Sequence, residues 1–307
     1  MGDNQKTRVL HIDTGLTMRG GQWQVLYLLQ GLAQRGITSC LMAPAGSPLL
    51  VAAQSAGYDT QTLRWGALAR RARQFDALHA HDSHAHTLAL VSPRPLVVSR
   101  RVAFPIKRTP WSWLKYTRPV QFLAVSQYVK NVLLQARVPD SKLTVVYDGV
   151  YLPGMCLPVP VTASGRVIAL DSGDPGKGQA IVEQASQLAG IPVHFSRDLQ
   201  RDLRDAALFV YITDLEGLGS AALLAMSHGV PVLASRTGGL PEIVEPGVTG
   251  LLTNNDPAAI AERMRLLLED RGLALRLGRN GRAAVERRFT VAHMVEDTIR
   301  AYEQVLA

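Results

Sequence analysis

Cysteine is nearly missing from this 307-residue chain, which carries two, Cys40 and Cys156. Two such thiols build no disulfide framework, and neither sits in a metal-ligand spacing. Long apolar runs are missing too. No stretch reaches the roughly 18 to 20 residues that a membrane-spanning helix needs. The opening MGDNQKTRVLHIDTG has too short an apolar segment for a secretory signal. Internal repeats, low-complexity tracts and nucleic-acid module signatures are also lacking. A disulfide-stapled, membrane-spanning or repeat architecture is excluded, and the cytoplasm is the expected compartment.

What is present suits a folded chain with sizeable cores. Hydrophobic residues make up 47%, and the length fits two domains of about 150 residues each. Charge is divided unevenly. Residues 1–150 hold eighteen Lys and Arg against seven Asp and Glu, a net of +11, whereas the remainder nets −3. A first half so basic implies an anionic counterpart. Without a nucleic-acid module, membrane lipid or an anionic acceptor comes first.

Short apolar strands read at residues 8–13, 37–43, 60–65, 77–81, 96–99, 121–125 and 143–147. Helical spacing over 22–35, 47–56 and 127–137 falls between them. Such alternation predicts an open parallel sheet, with ligands at the carboxyl ends of its strands. Residues 151–162, punctuated by Pro153, Pro158 and Pro160, read as a linker. A second sheet then starts at 166–170, and helices are expected at 179–189, 257–269, 273–288 and 291–306.

The most informative stretch is 209–243, FVYITDLEGLGSAALLAMSHGVPVLASRTGGLPEI. Strand-forming residues lead into a loop with Glu216, Gly217 and Gly219. Ser220 is placed as an N-cap, and an Ala/Leu/Met helix runs to about Gly229. A second strand at 231–235 ends in Gly238-Gly239. Strand, glycine loop and helix N-terminus together favour a phosphate, because free N–H groups and the helix dipole attract negative charge. Glu216 sits at the mouth of that loop.

This stretch resembles the donor-site signature of the family 4 (group 1) glycosyltransferases. Glu216, Gly217, Gly219, Ala225, Met226, Gly229, Pro231, Val232, Ala234, Gly238, Gly239 and Glu242 fall in register with it. The resemblance implies an α/β, GT-B fold of two Rossmann-like parallel-sheet domains facing across a cleft. Residues 1–150 would be the acceptor domain and 151–285 the nucleotide-sugar donor domain. Residues 286–307 would form a helix crossing back to the first domain. It implies a retaining transferase moving a sugar from a UDP- or GDP-linked donor to a cell-envelope glycan or lipid-linked acceptor, lipopolysaccharide being the usual setting. Peripheral attachment to the inner face of the membrane would suit the basic first half. No cofactor and no metal are expected.

By the same resemblance, Glu216 and His81 are the catalytic candidates, His81 as a cleft contact and not as a base. Gly20, Gly21, Lys177, Gly217, Leu218, Gly219 and Ser220 would bind the donor, the Gly20-Gly21 pair preceding the first helix. Arg100 and Arg101 stand where relatives carry a histidine, and either clamp an acceptor phosphate or carboxylate or form a solvated basic turn. In HAHDSHAH, His79, His81, His84 and His86 surround Asp82, and metal binding, cleft lining and a structural role all remain open. Residues 101–118 interleave cations with Phe104, Trp111, Trp113 and Tyr116, which fits a membrane interface or a self-packed loop.

Three departures from the family pattern stand out. Leu224 replaces the second glutamate of the E-x7-E pair, and Ser172 replaces an arginine. A helix and strand usually found before the motif are missing, which shortens the second domain. They motivate an alternative, a non-catalytic GT-B relative serving as a binding or assembly subunit.

Overall fold

A computed structural model describes residues 7–106, 109–153 and 165–307. Most of the linker reading at 151–162, together with Cys156, Lys107 and Arg108, lies outside the described residues. The strands are β1 (Arg8–Ile12), β2 (Thr38–Ala43), β3 (Asp59–Thr62), β4 (Ala77–Ala80), β5 (Leu96–Arg100), β6 (Gln121–Ala124), β7 (Leu143–Val145), β8 (Arg166–Leu170), β9 (Val193–Ser196), β10 (Ala206–Tyr211), β11 (Val232–Ser235) and β12 (Leu251–Thr253). The helices are α1 (Gly20–Gln34), α2 (Pro48–Ser55), α3 (Trp65–Ala72), α4 (Ser83–Ala89), α5 (Pro110–Thr117), α6 (Gln127–Gln135), α7 (Gln179–Ala189), α8 (Leu199–Asp202), α9 (Ser220–Ser227), α10 (Leu240–Ile243), α11 (Pro257–Glu269), α12 (Arg271–Arg288) and α13 (Val291–Leu306).

The chain divides into two compact units. The first comprises Met1–Asp148 with Val291–Ala307, and the second Gly149–Thr290. The first carries a seven-stranded sheet in the order β3-β2-β1-β4-β5-β6-β7, and every pairing in it is parallel. Strand order reverses between β1 and β4, so the loops after these two strands open beside one another.

Helix α13 belongs to this unit because of its sequence period. Val291, Met294, Val295, Thr298, Ala301 and Tyr302 are its buried positions, a stripe at helical spacing. The stripe meets Leu28 and Leu32 of α1, and Val97 and Leu123 of the sheet, in one apolar core. Truncating a fully buried member such as Leu32 to alanine would cost about 2–5 kcal/mol.

The second unit holds a five-stranded parallel sheet in the order β12-β11-β10-β8-β9. Its central strand β10, AALFVY, is buried at all six positions, as expected of a parallel strand covered by helices on both faces. Between β9 and β10 the chain makes only α8 and a 3-10 turn, Leu203–Asp205. Here the order reverses between β8 and β10, which places the loops carrying Lys177 and Glu216 side by side.

Two local expectations need correction. Gly20 and Gly21 do not precede α1 but form its first two residues, with Arg19 as N-cap. Gln22, at the third helical position, accepts from the Arg19 N–H at 3.3 Å and so starts the helix early. Ser220 is the first residue of α9 and not its cap. Gly219 takes the cap position at φ +112°, a conformation that a serine there would resist.

Candidate functional site

In the second unit, the loop after β8 turns through a 3-10 segment, Pro175–Lys177. Asp174 caps it by accepting from the Gly176 N–H at 3.0 Å. The Gly176 carbonyl then accepts from the Asp214 N–H at 3.0 Å and the Thr213 hydroxyl at 3.1 Å. The two loops at the strand reversal are therefore tied to each other through backbone. On the far side, the turn after β11 presses against the same loop. A Cβ on Gly238 would lie 1.9 Å from the Glu216 carbonyl oxygen, and one on Gly239 would lie 2.2 Å from that of Gly217. The paired glycines let main chain rest directly on main chain, and the Gly239 N–H donates to the Glu216 carbonyl at 3.2 Å.

Held this way, Glu216 meets Lys177. The Lys177 ammonium donates to Glu216 Oε2 at 2.6 Å and to the Tyr211 hydroxyl at 3.2 Å. Tyr211, the last residue of β10, donates to the same carboxylate oxygen at 2.5 Å. The other oxygen, Oε1, accepts from the Gly217 N–H at 2.9 Å. Burial, followed by the neighbouring Glu216 charge and hydrogen bond, pushes the Tyr211 phenol well above its ordinary range, so it stays a donor. The ion pair is only partly covered, with side-chain exposures of 23% and 15%, and remains within reach of a ligand.

Gly217, Leu218, Gly219 and Ser220 lead from Glu216 straight into the α9 N-terminus. The departures are visible as well. Leu224 lies half-buried on α9, offering no acceptor. The Ser172 hydroxyl accepts from the Asp174 N–H at 3.2 Å, shaping the turn that leads to Lys177.

The reversal point of the first unit holds a different cluster. β1 and β4 pair with His11 opposite His79, and His81 follows just beyond β4. His11 Nδ1 and His81 Nε2 are hydrogen-bonded at 2.9 Å. His79 binds the Tyr302 hydroxyl at 2.6 Å through Nδ1 and the Ser99 hydroxyl at 2.8 Å through Nε2. Arg101 Nη1 donates to His81 Nδ1 at 3.4 Å while its Nε donates to Asp148 at 3.1 Å. That contact makes His81 Nδ1 an acceptor, so Nε2 carries the proton toward His11. Burial lowers His11 to about 3, and burial with neighbouring positive charge holds His79 and His81 well below their ordinary value.

Among the described residues, His11, His79 and His81 are a group whose nitrogens lie close enough to hold a metal ion. Both His79 nitrogens are bound, His11 Nδ1 and His81 Nε2 bind each other, and Arg101 lies against His81, while His11 Nε2 is buried without a partner. The sequence reading missed His11, although a histidine inside an apolar strand was the available signal. It also grouped His84 and His86 with this set. His84 is exposed, and His86 is buried elsewhere, with Nε2 on the Lys115 carbonyl at 2.8 Å. Asp82 is a structural clamp. It caps α4 through the His84 and Ala85 N–H groups and binds the Thr14 N–H and hydroxyl.

Arg101 is thus engaged by Asp148 and His81, whereas Arg100 is buried without a carboxylate partner among the described residues. Gly20 and Gly21 open α1, whose Gln22 amide donates to the Asp13 carboxylate at 3.2 and 3.3 Å.

Comparison with known proteins bears on the family and the fold. The model of glycosyl transferases group 1 matches residues 188–284, and that of Glycosyltransferase Family 4 matches residues 18–152. Alpha-maltose-1-phosphate synthase of Mycolicibacterium smegmatis is 36% identical over 124 residues, 38% of this chain and 31% of that one. N-acetyl-alpha-D-glucosaminyl L-malate synthase of Bacillus anthracis is 32% identical over 100 residues, 32% of this chain and 26% of that one. The matched part thus spans about a third or less of these curated relatives. In fold, HepE of Anabaena, solved in complex with UDP-glucose, covers 97% of this chain and 99% of its own at a TM-score of 0.84 and 17% identity. With both units matched by family models and the fold matched end to end, the chain belongs to the family 4 (group 1) glycosyltransferases of GT-B fold.

Proposed function

We propose that this chain is a retaining glycosyltransferase that moves a sugar from a UDP- or GDP-linked donor to a cell-envelope glycan or lipid-linked acceptor. One observation carries the reading: Lys177 and Glu216, from loops 39 residues apart, meet at 2.6 Å at the strand reversal of the second unit. An ammonium and a carboxylate in contact there supply both groups that a sugar diphosphate needs. Two of the three Lys177 N–H groups go to Glu216 and Tyr211, which leaves the third for a phosphate oxygen. The Gly217–Gly219 amides and the α9 N-terminus add positive potential. With that charge in place, the leaving diphosphate is stabilised without a metal or other cofactor.

In the reaction, the bond from the anomeric carbon to the diphosphate oxygen breaks, and its electron pair stays on that oxygen. The acceptor hydroxyl forms the new bond on the same face and gives its proton to the departing phosphate. Glu216 holds the sugar. Peripheral attachment at the inner face of a membrane is part of the proposal, supported by exposed Trp111 and Trp113 on α5 in the basic half. Titration with UDP- and GDP-sugars tests the whole. Binding of one donor, with transfer abolished in Glu216→Gln, is the expected outcome. The competing reading, a non-catalytic subunit, is favoured by Leu224 and Ser172 and predicts no binding to any donor.

A further inference from the structure

Arg100 closes β5 with only 9% of its surface exposed, and Lys115 on α5 is buried to 8%. Arg100 Nη2 donates to the Phe104 carbonyl at 2.8 Å, but its Nε is buried with no partner. The Lys115 ammonium donates to the Ser83 carbonyl at 2.7 Å and the Ser83 hydroxyl at 3.0 Å. Neither cation forms an ion pair with any described carboxylate. They also act on each other and on a third basic group. Burial and then the Arg100 charge lower Lys115, while burial, Lys115 and Arg100 hold His86 at about 3. Asp82 is the acidic group within electrostatic reach of Lys115. Its two oxygens already accept four hydrogen bonds, from Thr14 and the start of α4.

Taking an unanswered cation out of water is strongly unfavourable, and two that repel each other make it worse. Apolar replacements of similar size would fold more readily at both positions. Nε and Nη2 lie along one edge of the guanidinium, and this side-on edge can grip an oxyanion through two bonds. We propose that Arg100 and Lys115 form an anion site for a phosphate group in the first unit, with the Arg100 fork as its anchor. Resting on the transferase reading, the site receives the phosphate of the acceptor, carried either on a soluble phosphorylated sugar or on a lipid headgroup.

Inorganic phosphate is the probe, and Lys177→Gln is the background so that phosphate in the donor site does not contribute. Melting temperature is followed against phosphate, with chloride matching the ionic strength. The temperature should rise to saturation in the parent. Arg100→Gln should lose the rise, and Arg100→Lys, which keeps the charge but not the fork, should weaken it at least tenfold. In chloride alone, Arg100→Gln should melt no lower than the parent, because it removes an uncompensated charge; a purely structural arginine would lower it. Absence of a phosphate response in the parent, or an equal response in Arg100→Gln, overturns the site. Sedimentation with phosphatidylglycerol and phosphatidylcholine vesicles separates the sources. Loss of phosphatidylglycerol binding in Arg100→Gln identifies a headgroup, and unchanged vesicle binding identifies a soluble phosphate. Failure of the donor titration would leave these results standing.

Discussion

Gly239→Ala isolates what the glycine pair does for the candidate site. Gly239 lies at φ −82° and ψ −3°, where alanine carries no backbone strain. The added Cβ, however, would sit 2.2 Å from the Gly217 carbonyl oxygen and 2.9 Å from Leu218 Cα. Both neighbours are backbone, so no side chain can swing aside. Restoring an ordinary contact requires the 216–218 loop to retreat by roughly 1 Å, and such overpacking costs about 1–3 kcal/mol. A displacement of that size at a positioned catalytic group lowers turnover by about 10²-fold. Gly247→Ala is the control. At φ +77° with nothing within 4 Å of a new Cβ, it brings strain of about 1–2 kcal/mol and no collision. Calorimetric melting together with donor titration and turnover separates the two. Both variants should melt lower, by about 2–4 °C per kcal/mol, while Gly239→Ala alone loses donor affinity and turnover. Equal melting losses with unchanged donor affinity in Gly239→Ala would refute the claim that this contact aims Glu216.

Other expectations rest on the same geometry. Tyr211→Phe keeps the ring but removes the hydroxyl that binds both Glu216 and Lys177. A hydrogen bond to a charged group contributes about 1.5–3 kcal/mol, so the urea midpoint should drop and turnover fall by about tenfold; wild-type kinetics would free Tyr211 of any part in the site. Acid should destabilise the fold well above the carboxylate range. His11 and His86 titrate at about 3 in the folded protein, and His79 and His81 well below their ordinary value, in each case chiefly through burial. Unfolded histidines titrate near 6.5, so below that pH the unfolded chain binds more protons and stability falls as pH drops, by up to about 1.4 kcal/mol per pH unit for each. A melting temperature flat between pH 7 and 5 would contradict their burial. Trp111→Ala with Trp113→Ala should reduce sedimentation with anionic vesicles, since both indoles are more than half exposed; undiminished binding would place the membrane face elsewhere.

How much of this was legible in the sequence follows from how local each cause is. The helices at 257–269 and 291–306 are read to the residue. Asp256 caps the first by accepting from the Ala259 N–H, Pro257 starts it, and the apolar stripe of the second has a plain period. The strand, glycine loop and helix around Glu216 are legible for the same reason. The start of α9 was misplaced by one residue because serine is a common cap, and only the dihedral of Gly219 reveals which residue turns the chain. Nothing local says that β9 passes to the sheet edge while β10 returns beside β8. That order alone brings Lys177 to Glu216; in sequence order, β9 would stand between them. The same holds in the first unit. His11 faces His79 because β1 pairs with β4 across two intervening strands, and the HAHDSHAH segment taken alone pointed to the wrong partners. Arg100 and Arg101 are adjacent in sequence, yet one finds Asp148 and the other only a carbonyl. Motifs therefore disclose which chemistry is present, and strand order decides which groups touch. In this chain the decisive contacts sit at the two points where that order reverses.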